Sequence, residues 1–287
     1  MICTLCPRRC GAERTETEGH GFCGMPAGLR VARAALHLWE EPPLSGTRGS
    51  GTVFFSGCTL RCCYCQNREI SAGGFGRAVT TGRLREIFEE LIAQGAHNIN
   101  LVTPTHFLPW ILPALAPKLP VPVVYNCGGY ERVETLRGLE GKIDIYLPDL
   151  KYADAGLSGS LSGAADYFTV AREAIREMVR QTGMPQWRGE KMVRGTIIRH
   201  LILPGQVENS LRVLDWIGEN FAPGQVLVSL MRQYTPMGGL AAPFDRRVRS
   251  DEYEAVLSWM YLNRLEGFTQ EETAADAGFI PDFRQER

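Results

Sequence analysis

The feature that most constrains this chain is a cysteine loop in which Cys58, Cys62 and Cys65 follow a C-x3-C-x2-C spacing. Three thiolates on one tight loop can hold three irons of a 4Fe–4S cluster, which normally takes four cysteines. If no fourth cysteine joins them, one iron stays open to a substrate or cofactor, as in catalytic metal sites. A zinc loop is the competing interpretation, but zinc motifs usually place their ligands on two knuckles. Cys63, inside the run, can in principle substitute for a neighbour.

A second cysteine group lies at the start of the chain. Cys3, Cys6, Cys10 and Cys23 follow a C-x2-C-x3-C-x12-C spacing. A short segment rich in glycine and charge buries little apolar surface, so we expect a metal to order it. Four thiolates close the coordination shell of either a zinc ion or a second Fe–S cluster, and the spacing leaves that choice open.

Composition narrows the class of protein. The 287 residues suffice for one large α/β domain, and 44% hydrophobic with 22% charged residues is ordinary for a globular chain. A formal net charge of −1 gives no general attraction to nucleic acid or to an anionic membrane. No apolar run reaches the ~20 residues that span a bilayer, and the chain starts without a signal-peptide pattern. Cysteine clusters then indicate metal sites in a reducing compartment, so we expect a cytoplasmic protein without membrane or nucleic-acid partners.

Six β-branched or aromatic runs alternate with helical patterns, which is typical of parallel βα units. The predicted strands are Thr52–Ser56, Asn98–Thr103, Val121–Cys127, Ile143–Leu147, Thr196–Leu203 and Val226–Met231. They predict an α/β fold, a partial (β/α)6 TIM-like barrel with a small N-terminal metal-binding extension. We expect the extension and its linker over residues 1–45, the barrel over 46–250, and a C-terminal helix and tail over 251–287.

Apolar residues recur at helical spacing between the predicted strands. This periodicity predicts helices over Leu84–Ile92, Phe107–Leu115, Ala164–Arg180, Leu211–Ile217 and Glu252–Leu265. Glycine and serine between residues 31 and 51 instead predict a connecting loop. A polar tail is expected from Gln270.

Polar and glycine residues follow the predicted strands at their C-terminal ends, where parallel α/β folds build their sites. These residues are Thr103-Pro104-Thr105-His106, Gly128-Gly129, Asp149-Leu150-Lys151 and Gln233-Tyr234. The glycines let a ligand approach the backbone, and Asp149 and Lys151 offer two charges to a ligand. Gln233 and Tyr234 are candidate contacts to substrate or adenosine. We expect His106 and His200 to be structural histidines and Cys127 to be a packed free thiol.

These motifs together resemble the radical S-adenosylmethionine (SAM) superfamily. Within it, three stretches resemble the glycyl-radical-enzyme activases, of the pyruvate formate-lyase activating enzyme type. They are Tyr64-Cys65-Gln66-Asn67, Asn126-Cys127-Gly128-Gly129-Tyr130-Glu131 and Asp149-Leu150-Lys151. The N-terminal cysteine run, with Trp39-Glu40-Glu41-Pro42, is similar to an activase-related branch of that group.

The resemblance implies a 4Fe–4S cluster whose open iron binds SAM, and cleavage of SAM to a 5′-deoxyadenosyl radical that abstracts hydrogen. It implies SAM contacts from Asn67, Asp149 and Lys151 and from the turn over 126–129. Superfamily members usually carry Gly-Gly-Glu-Pro after the second strand, where this chain has Thr103 and Thr105, whose hydroxyls or carbonyls can bind the SAM amino group. The implied partners are an electron donor such as flavodoxin or ferredoxin and a glycyl radical enzyme as protein substrate.

Two other functions compete with the activase role. The first keeps SAM cleavage but acts on a small molecule, a peptide or RNA; the neutral net charge disfavours RNA, because phosphate contacts need clustered Lys and Arg. The second is a non-enzymatic metal or electron-transfer protein. A carrier needs only closed coordination, so six βα units with polar strand ends favour an enzyme.

Overall fold

Parallel strands form the centre of the structure, a computed structural model that describes residues 2–270 and Phe283. The strands of the described part are β1 (Arg30–His37), β2 (Ser50–Phe55), β3 (Arg77–Ala78), β4 (Ile99–Val102), β5 (Val123–Cys127), β6 (Ile145–Pro148), β7 (Gln186–Arg188), β8 (Lys191–Leu201), β9 (Leu227–Met231) and β10 (Gly267–Thr269).

The six predicted strands are confirmed as β2, β4, β5, β6, β8 and β9, which are parallel neighbours in the order β9-β8-β6-β5-β4-β2. Every residue of β2, β5, β6 and β9 is buried, as expected for a parallel sheet covered on both faces. The sheet runs from β10 at one edge to β3 at the other. The predicted partial TIM-like barrel is therefore confirmed, with its sheet not closed.

The predicted connecting loop over residues 31–51 is wrong for its first part. Arg30–His37 forms β1, which pairs antiparallel with β2 from Val31 opposite Phe55 to His37 opposite Ser50. The segment has little intrinsic strand propensity, but β2 would otherwise present unpaired backbone groups at a buried edge. The segment becomes a strand because the edge of β2 needs a pairing partner, and not because of the segment's own composition.

Helices lie between the strands as predicted, with additional short ones. They are α1 (Pro42–Ser45), α2 (Arg68–Ser71), α3 (Thr81–Ala93), α4 (Leu108–Ala114), α5 (Val133–Arg137), α6 (Ala155–Ser162), α7 (Tyr167–Thr182), α8 (Val207–Asn220) and α9 (Ser250–Leu262), with a 3-10 turn at Thr105–Phe107. The Thr80 side chain caps α3 by accepting from the Arg83 N–H at 3.1 Å. Within the described residues, no helix is both long and apolar enough to cross a bilayer.

The helix predicted over Ala164–Arg180 is confirmed as α7, and a further helix that was not predicted, α6, precedes it. The Asp154 side chain caps α6 by accepting from the Leu157 N–H at 2.8 Å, and Gly163 ends α6 with φ of 57°. That left-handed conformation is accessible to glycine at little cost, so the chain turns there before α7 begins. The predicted tail lies outside the described residues, apart from Gln270 and Phe283.

The short helix α1 closes the lower end of the barrel. Leu44 of α1 is fully buried among Val124, Ile145 and Leu227, which lie near the beginnings of β5, β6 and β9, and Ile197, which lies near the middle of β8. Asn98, just before β4, donates from Nδ2 to the Leu44 carbonyl at 2.9 Å. The segment immediately before α1 is thereby held inside the barrel, beneath the strand ends.

Candidate cluster and cofactor site

The cysteine loop leaves the C-terminal end of β2, as the sequence predicts. Gly57 begins the loop with φ of 81°, and a Cβ there would lie 2.2 Å from Cγ of Met25, so a larger residue would clash. The loop then brings Cys58, Cys62 and Cys65 to the wall of one cavity of about 480 Å³. A cavity of this size is typical of small-molecule and cofactor sites.

Each of the three sulfurs receives a hydrogen bond. The donors are the backbone N–H of Leu60 to Cys58 Sγ (3.4 Å), Ser71 Oγ to Cys65 Sγ (3.4 Å) and Ser162 Oγ to Cys62 Sγ (3.0 Å). Hydrogen bonds to sulfur stabilise thiolates and are among the factors that set the reduction potential of an Fe–S cluster. The environment of the three cysteines therefore suits cluster ligands.

Burial keeps the thiols of Cys58 and Cys65 neutral when no metal is bound. It raises the pKa of Cys58 to about 12, with the neighbouring Cys62 adding to the effect, and it also raises the pKa of Cys65. Among the residues that the structure describes, no group of three or more His, Cys, Asp or Glu side chains has a geometry ready to hold a metal ion. Cluster binding at this loop must therefore release protons and turn the thiols toward one another.

Two further cysteines near the loop differ from these three. The Cys63 N–H donates to the Leu161 carbonyl at 2.9 Å, and its side chain is not part of the cavity wall. Cys127 lines the cavity, but its pKa is raised by burial and, after burial, by the carboxylate of Glu131. These positions fit a cluster with three cysteine ligands.

A chain of hydroxyl groups leads away from the Cys62 sulfur. Ser162 Oγ, which donates to that sulfur, lies 2.7 Å from the Tyr152 hydroxyl, and Tyr152 lies 2.6 Å from the Tyr64 hydroxyl. The three side chains are buried, so this network fixes the loop through packed, satisfied polar groups. Ser162 and Tyr152 were missed in the sequence, where no spacing relates them to the loop.

Most of the predicted cofactor contacts line the same cavity as the cysteines. These residues are Asn67, Thr103, Asn126, Gly128, Asp149, Lys151, Gln233 and Tyr234. Thr105 and Gly129 lie outside its wall. Thr105 Oγ1 donates to the Glu131 carboxylate at 2.7 Å, and a Cβ on Gly129 would overlap the Asp149 carbonyl at 2.1 Å. The positions of Thr105 and Gly129 suit a role in holding the neighbouring loops in place.

Two residues of the cavity wall offer groups that a ligand can use. Asn67 Oδ1 is buried and has no hydrogen-bond partner within the described part of the chain. Thr103, at the end of β4, has φ of 57°, a left-handed conformation that is unusual for a residue with a Cβ. Such strain at a cavity wall is typical of functional positions, and the orphaned amide oxygen fits a ligand with N–H donors.

Charged side chains form a buried network beside the cysteines. Asp149 lies 2.5 Å from the Lys151 ammonium and 2.9 Å from Arg199, whose other end donates to Asn126 Oδ1 at 2.6 Å. Burial opposes charge on Asp149, but Lys151 and Arg199 outweigh it and lower the pKa of the carboxyl. Asp149 raises the pKa of Lys151 in turn, against the effect of burial. Both groups are therefore ionised near neutral pH.

Arg199 and Glu40 belong to this network and were missed in the sequence. Arg199 Nη1 lies 3.5 Å from Glu40 Oε2, and Glu40 Oε1 accepts from Asn100 Nδ2 at 2.9 Å. The only sequence signal for Arg199 is a charged residue within the apolar run of β8. Glu40 lies in a segment that sequence analysis treated as a linker.

Gln233 and Tyr234, the predicted ligand contacts after β9, already use some of their polar atoms in hydrogen bonds within the protein. The Tyr234 hydroxyl donates to the Phe244 carbonyl at 2.7 Å, so its ring rather than its hydroxyl is available to the cavity. Gln233 Oε1 accepts from Gln270 at 3.2 Å. That Gln233 and Tyr234 contact a ligand stays a prediction.

The two buried histidines have the structural positions expected of them. His106 Nε2 lies 2.6 Å from the Ser56 carbonyl, and His200 lies 2.7 Å from the Leu150 carbonyl and 2.8 Å from Ser210 Oγ. Burial lowers the pKa of each imidazole to about 4, so both are neutral near pH 7. Neither histidine lines the cavity.

The N-terminal cysteines come near one another but are not equally exposed. Cys3 and Cys6 are buried, Cys23 is half-buried and Cys10 is exposed. Burial raises the pKa of Cys6 to about 12, and the charges of Cys3 and Cys23 also raise it. Cys3 and Cys10 act on Cys23 in the same way, so the four thiols share one neighbourhood. A second metal site on them stays a prediction.

This N-terminal segment packs directly against the cysteine loop. Arg8 donates from Nε to the Thr59 carbonyl at 2.8 Å and from Nη2 to the Ser162 carbonyl at 2.7 Å. Arg61 of the loop donates back to the Phe22 carbonyl at 3.0 Å. Order in the segment is thereby coupled to the position of the loop.

Comparisons with known proteins agree with this site. Residues 45–103, which include the cysteine loop, match the family described as a 4Fe-4S single cluster domain. The chain is 30% identical over 246 residues to the uncharacterized protein MJ0674 of Methanocaldococcus jannaschii. That alignment covers 82% of this chain and 66% of the relative, so the chain spans slightly less than two thirds of its length.

Solved structures show the same fold. Methylornithine synthase (PylB) aligns with a TM-score of 0.51 at 16% identity, over 75% of this chain and 63% of that protein. A radical SAM methyltransferase from Sphaerobacter thermophilus aligns with a TM-score of 0.51 at 16% identity, over 77% and 66% of the two chains. The chain therefore shares the fold of these proteins, and the single-cluster match spans its C-x3-C-x2-C loop.

Glu131 makes the stability of the fold depend on pH. Burial raises the pKa of this carboxyl from 4.5 to about 7, and hydrogen bonds from Thr105 and Tyr125 offset only part of that effect. Because the folded-state pKa is the higher one, the folded protein holds the proton more tightly. The resulting stabilisation is complete below about pH 4.5 and is lost as the pH rises to about 7.

We expect Glu131→Gln to remove this contribution. Denaturant unfolding of the wild type should lose about 3 kcal/mol of unfolding free energy through Glu131 across that pH range, and the variant should lack this slope. Glu86→Gln, on the exposed face of α3, is the matched control and should keep the wild-type slope. An unchanged slope in Glu131→Gln would contradict the buried, proton-holding carboxyl.

Metal analysis tests the N-terminal site. We expect anaerobically purified protein to contain about four Fe for the cysteine loop and, in addition, either one Zn or about four more Fe. Cys6→Ser should remove only the additional metal, whereas Cys63→Ser should leave all metal in place. Equal metal content in Cys6→Ser and wild type would contradict a second site on these cysteines.

Proposed function

We propose that this protein is a radical SAM enzyme that reductively cleaves SAM and abstracts hydrogen from a substrate. The observation that supports this most directly is that the three loop cysteines share one cavity with Asn67, Asp149 and Lys151. When bound, the 4Fe–4S cluster supplies one electron to SAM, so that its S–C5′ bond breaks into methionine and a 5′-deoxyadenosyl radical, which takes a hydrogen atom from the substrate.

The residues of the cavity have separate tasks in this proposal. Cys58, Cys62 and Cys65 hold three irons, and no fourth cysteine closes the site. Asn67 offers its unpaired amide oxygen to N–H groups of SAM. Asp149 and Lys151 are held ionised side by side, so they can contact the charged and hydroxyl groups of SAM without a change of protonation.

The walls of the cavity also keep water away from the reaction. Leu60, Tyr64, Ile70 and Tyr234 are buried and line it with apolar surface. A carbon-centred radical reacts with whatever C–H group lies nearest, so a dry, packed wall restricts it to the bound substrate. Tyr64 is further fixed by its hydrogen bond to Tyr152.

We propose as the first substrate class a glycine residue of a partner protein, a glycyl radical enzyme. The support is the resemblance of Asn126-Cys127-Gly128-Gly129-Tyr130-Glu131 and Asp149-Leu150-Lys151 to the activases. In this case a flavodoxin or ferredoxin supplies the electron. A glycyl radical signal in a protein that co-purifies with this one, formed only when SAM and reductant are added, distinguishes this class from others.

The second substrate class is a small molecule. It is favoured by the charged groups that line the cavity, among them Glu40, Glu41 and Arg199. Peptide or RNA substrates fit these groups less well, and the near-neutral net charge adds nothing for RNA. A purely electron-transferring protein would leave the cavity and its charge network without a use.

Alanine variants of the loop cysteines test the proposed function. In reconstituted protein with reductant, Cys58→Ala, Cys62→Ala or Cys65→Ala should reduce formation of 5′-deoxyadenosine to background, because each change removes a ligand of the cluster. Cys63→Ala is the matched control and should retain most of the activity, since its side chain lies outside the cavity wall. Wild-type activity in any of the first three variants would contradict the ligand assignment.

A further inference from the structure

Two adjacent carboxylates, Glu40 and Glu41, form an acidic floor beneath the cavity. Glu40 reaches Asn100, the second residue of β4, and Glu41 lies beside Ser229, the third residue of β9. The cysteines instead follow the C-terminal end of β2, so the acidic floor lies deeper in the barrel than the cluster loop. Both carboxylates line the cavity.

The acidic floor holds more carboxylates than cations, and burial raises the pKa of both Glu40 and Glu41 while Arg199 opposes that effect. The charged groups that interact there are the carboxylates Glu40, Glu41 and Asp149 and the cations Arg199 and Lys151. The neighbouring His37 also interacts with Glu41 and Arg199, but burial lowers its pKa, so it adds no charge near pH 7. Arg199 contacts Asp149 at 2.9 Å and Glu40 at 3.5 Å, and Lys151 contacts Asp149 at 2.5 Å. One carboxylate therefore has no cation of its own when all five groups are ionised.

Glu41 is the carboxylate left without a direct contact to a cation in the described structure. Its residue is only 8% exposed, and its Oε2 has no hydrogen-bond partner among the described residues. Leaving a buried carboxylate oxygen unpaired is unfavourable unless a ligand or water satisfies it. The residue also lines the cavity, so this carboxylate lies at the wall where a ligand would bind.

We propose that the acidic floor is a subsite for the substrate, in which Glu41 binds an ammonium or guanidinium group. Glu41 lacks a hydrogen-bond donor and a neighbouring positive charge of its own, and a cation with N–H groups supplies both. Trp39 and Phe268 also line the cavity, so apolar carbon atoms between the cation and the reacting C–H group have surface to pack against. This inference rests on the proposed function and points to an amine- or guanidine-bearing small molecule as substrate.

SAM is the other possible source of the same chemistry, since it carries an ammonium and a sulfonium group. The amino-acid part of SAM, however, is expected at the open iron and at Asn67, near the cysteine loop. The acidic floor lies across the cavity from that loop, toward β9. A substrate whose cation sits at the floor would place its other atoms between Glu41 and SAM, where hydrogen abstraction takes place.

Calorimetric titration of small probes tests the subsite without turnover. The protein is full-length, reconstituted with its cluster and saturated with SAM, and no reductant is added. We expect n-butylammonium to bind at least about tenfold more tightly than 1-butanol, and butyrate to bind most weakly, because hydrogen bonds to a charged group are the strong ones. Equal affinities, or a preference for butyrate, would overturn the proposal.

Glu41→Gln identifies the residue responsible. This change keeps the shape of the side chain and should reduce the preference for n-butylammonium over 1-butanol by about tenfold. Glu86→Gln, an exposed carboxylate of α3, is the control and should keep the wild-type preference. A preference unchanged in Glu41→Gln would contradict the assignment, and if that variant does not fold, the wild-type probe comparison still decides whether the cavity selects cations.

Titration of SAM into the same proteins separates the two sources of the cation. If Glu41→Gln weakens SAM binding about tenfold but keeps the preference for n-butylammonium, Glu41 serves SAM and the substrate subsite is refuted. Failure of the proposed function itself would look different. In that case wild-type protein would not form 5′-deoxyadenosine with reductant, whatever the outcome of the probe titrations.

Discussion

The site depends on bringing the three loop thiols, Cys58, Cys62 and Cys65, together at the C-terminal end of one strand. Burial raises the pKa of Cys58 to about 12 and also raises that of Cys65, so a bound metal must replace the protons that these thiols lose. The surrounding chain prepares for this with a donor to each sulfur and with an N-terminal segment fastened to the loop through Arg8 and Arg61. The fold therefore supplies a rigid frame around a loop that only the cluster completes.

The charged groups below the loop extend this arrangement into the barrel. Asp149, Lys151, Arg199 and Glu40 are tolerable in the interior because each has a partner of opposite charge within 4 Å. Among the described residues Glu41 has no such contact, and in the proposed subsite its carboxylate selects a cationic substrate at the bottom of the cavity. In this proposal a single cavity contains both the cluster loop, which carries out electron transfer, and the acidic floor, which binds the substrate.

Sequence patterns predicted the parts of this structure that local physics determines. The six parallel strands and the cysteine loop follow from β-branched runs and from spacing. The strand Arg30–His37 was missed because the exposed edge of β2, not its own composition, creates it. Arg199 and Glu40 were missed for a related reason, since the two residues meet only after the barrel brings β8 against the segment before α1.

The central claim is that the cluster bound by Cys58, Cys62 and Cys65 keeps one iron open to SAM. Electron paramagnetic resonance of the reduced, reconstituted protein, recorded with and without SAM, tests it directly. The account predicts that SAM shifts the spectrum of this cluster, because SAM becomes a ligand of its open iron. A spectrum that SAM leaves unchanged would mean that the cluster is closed, and would contradict the account.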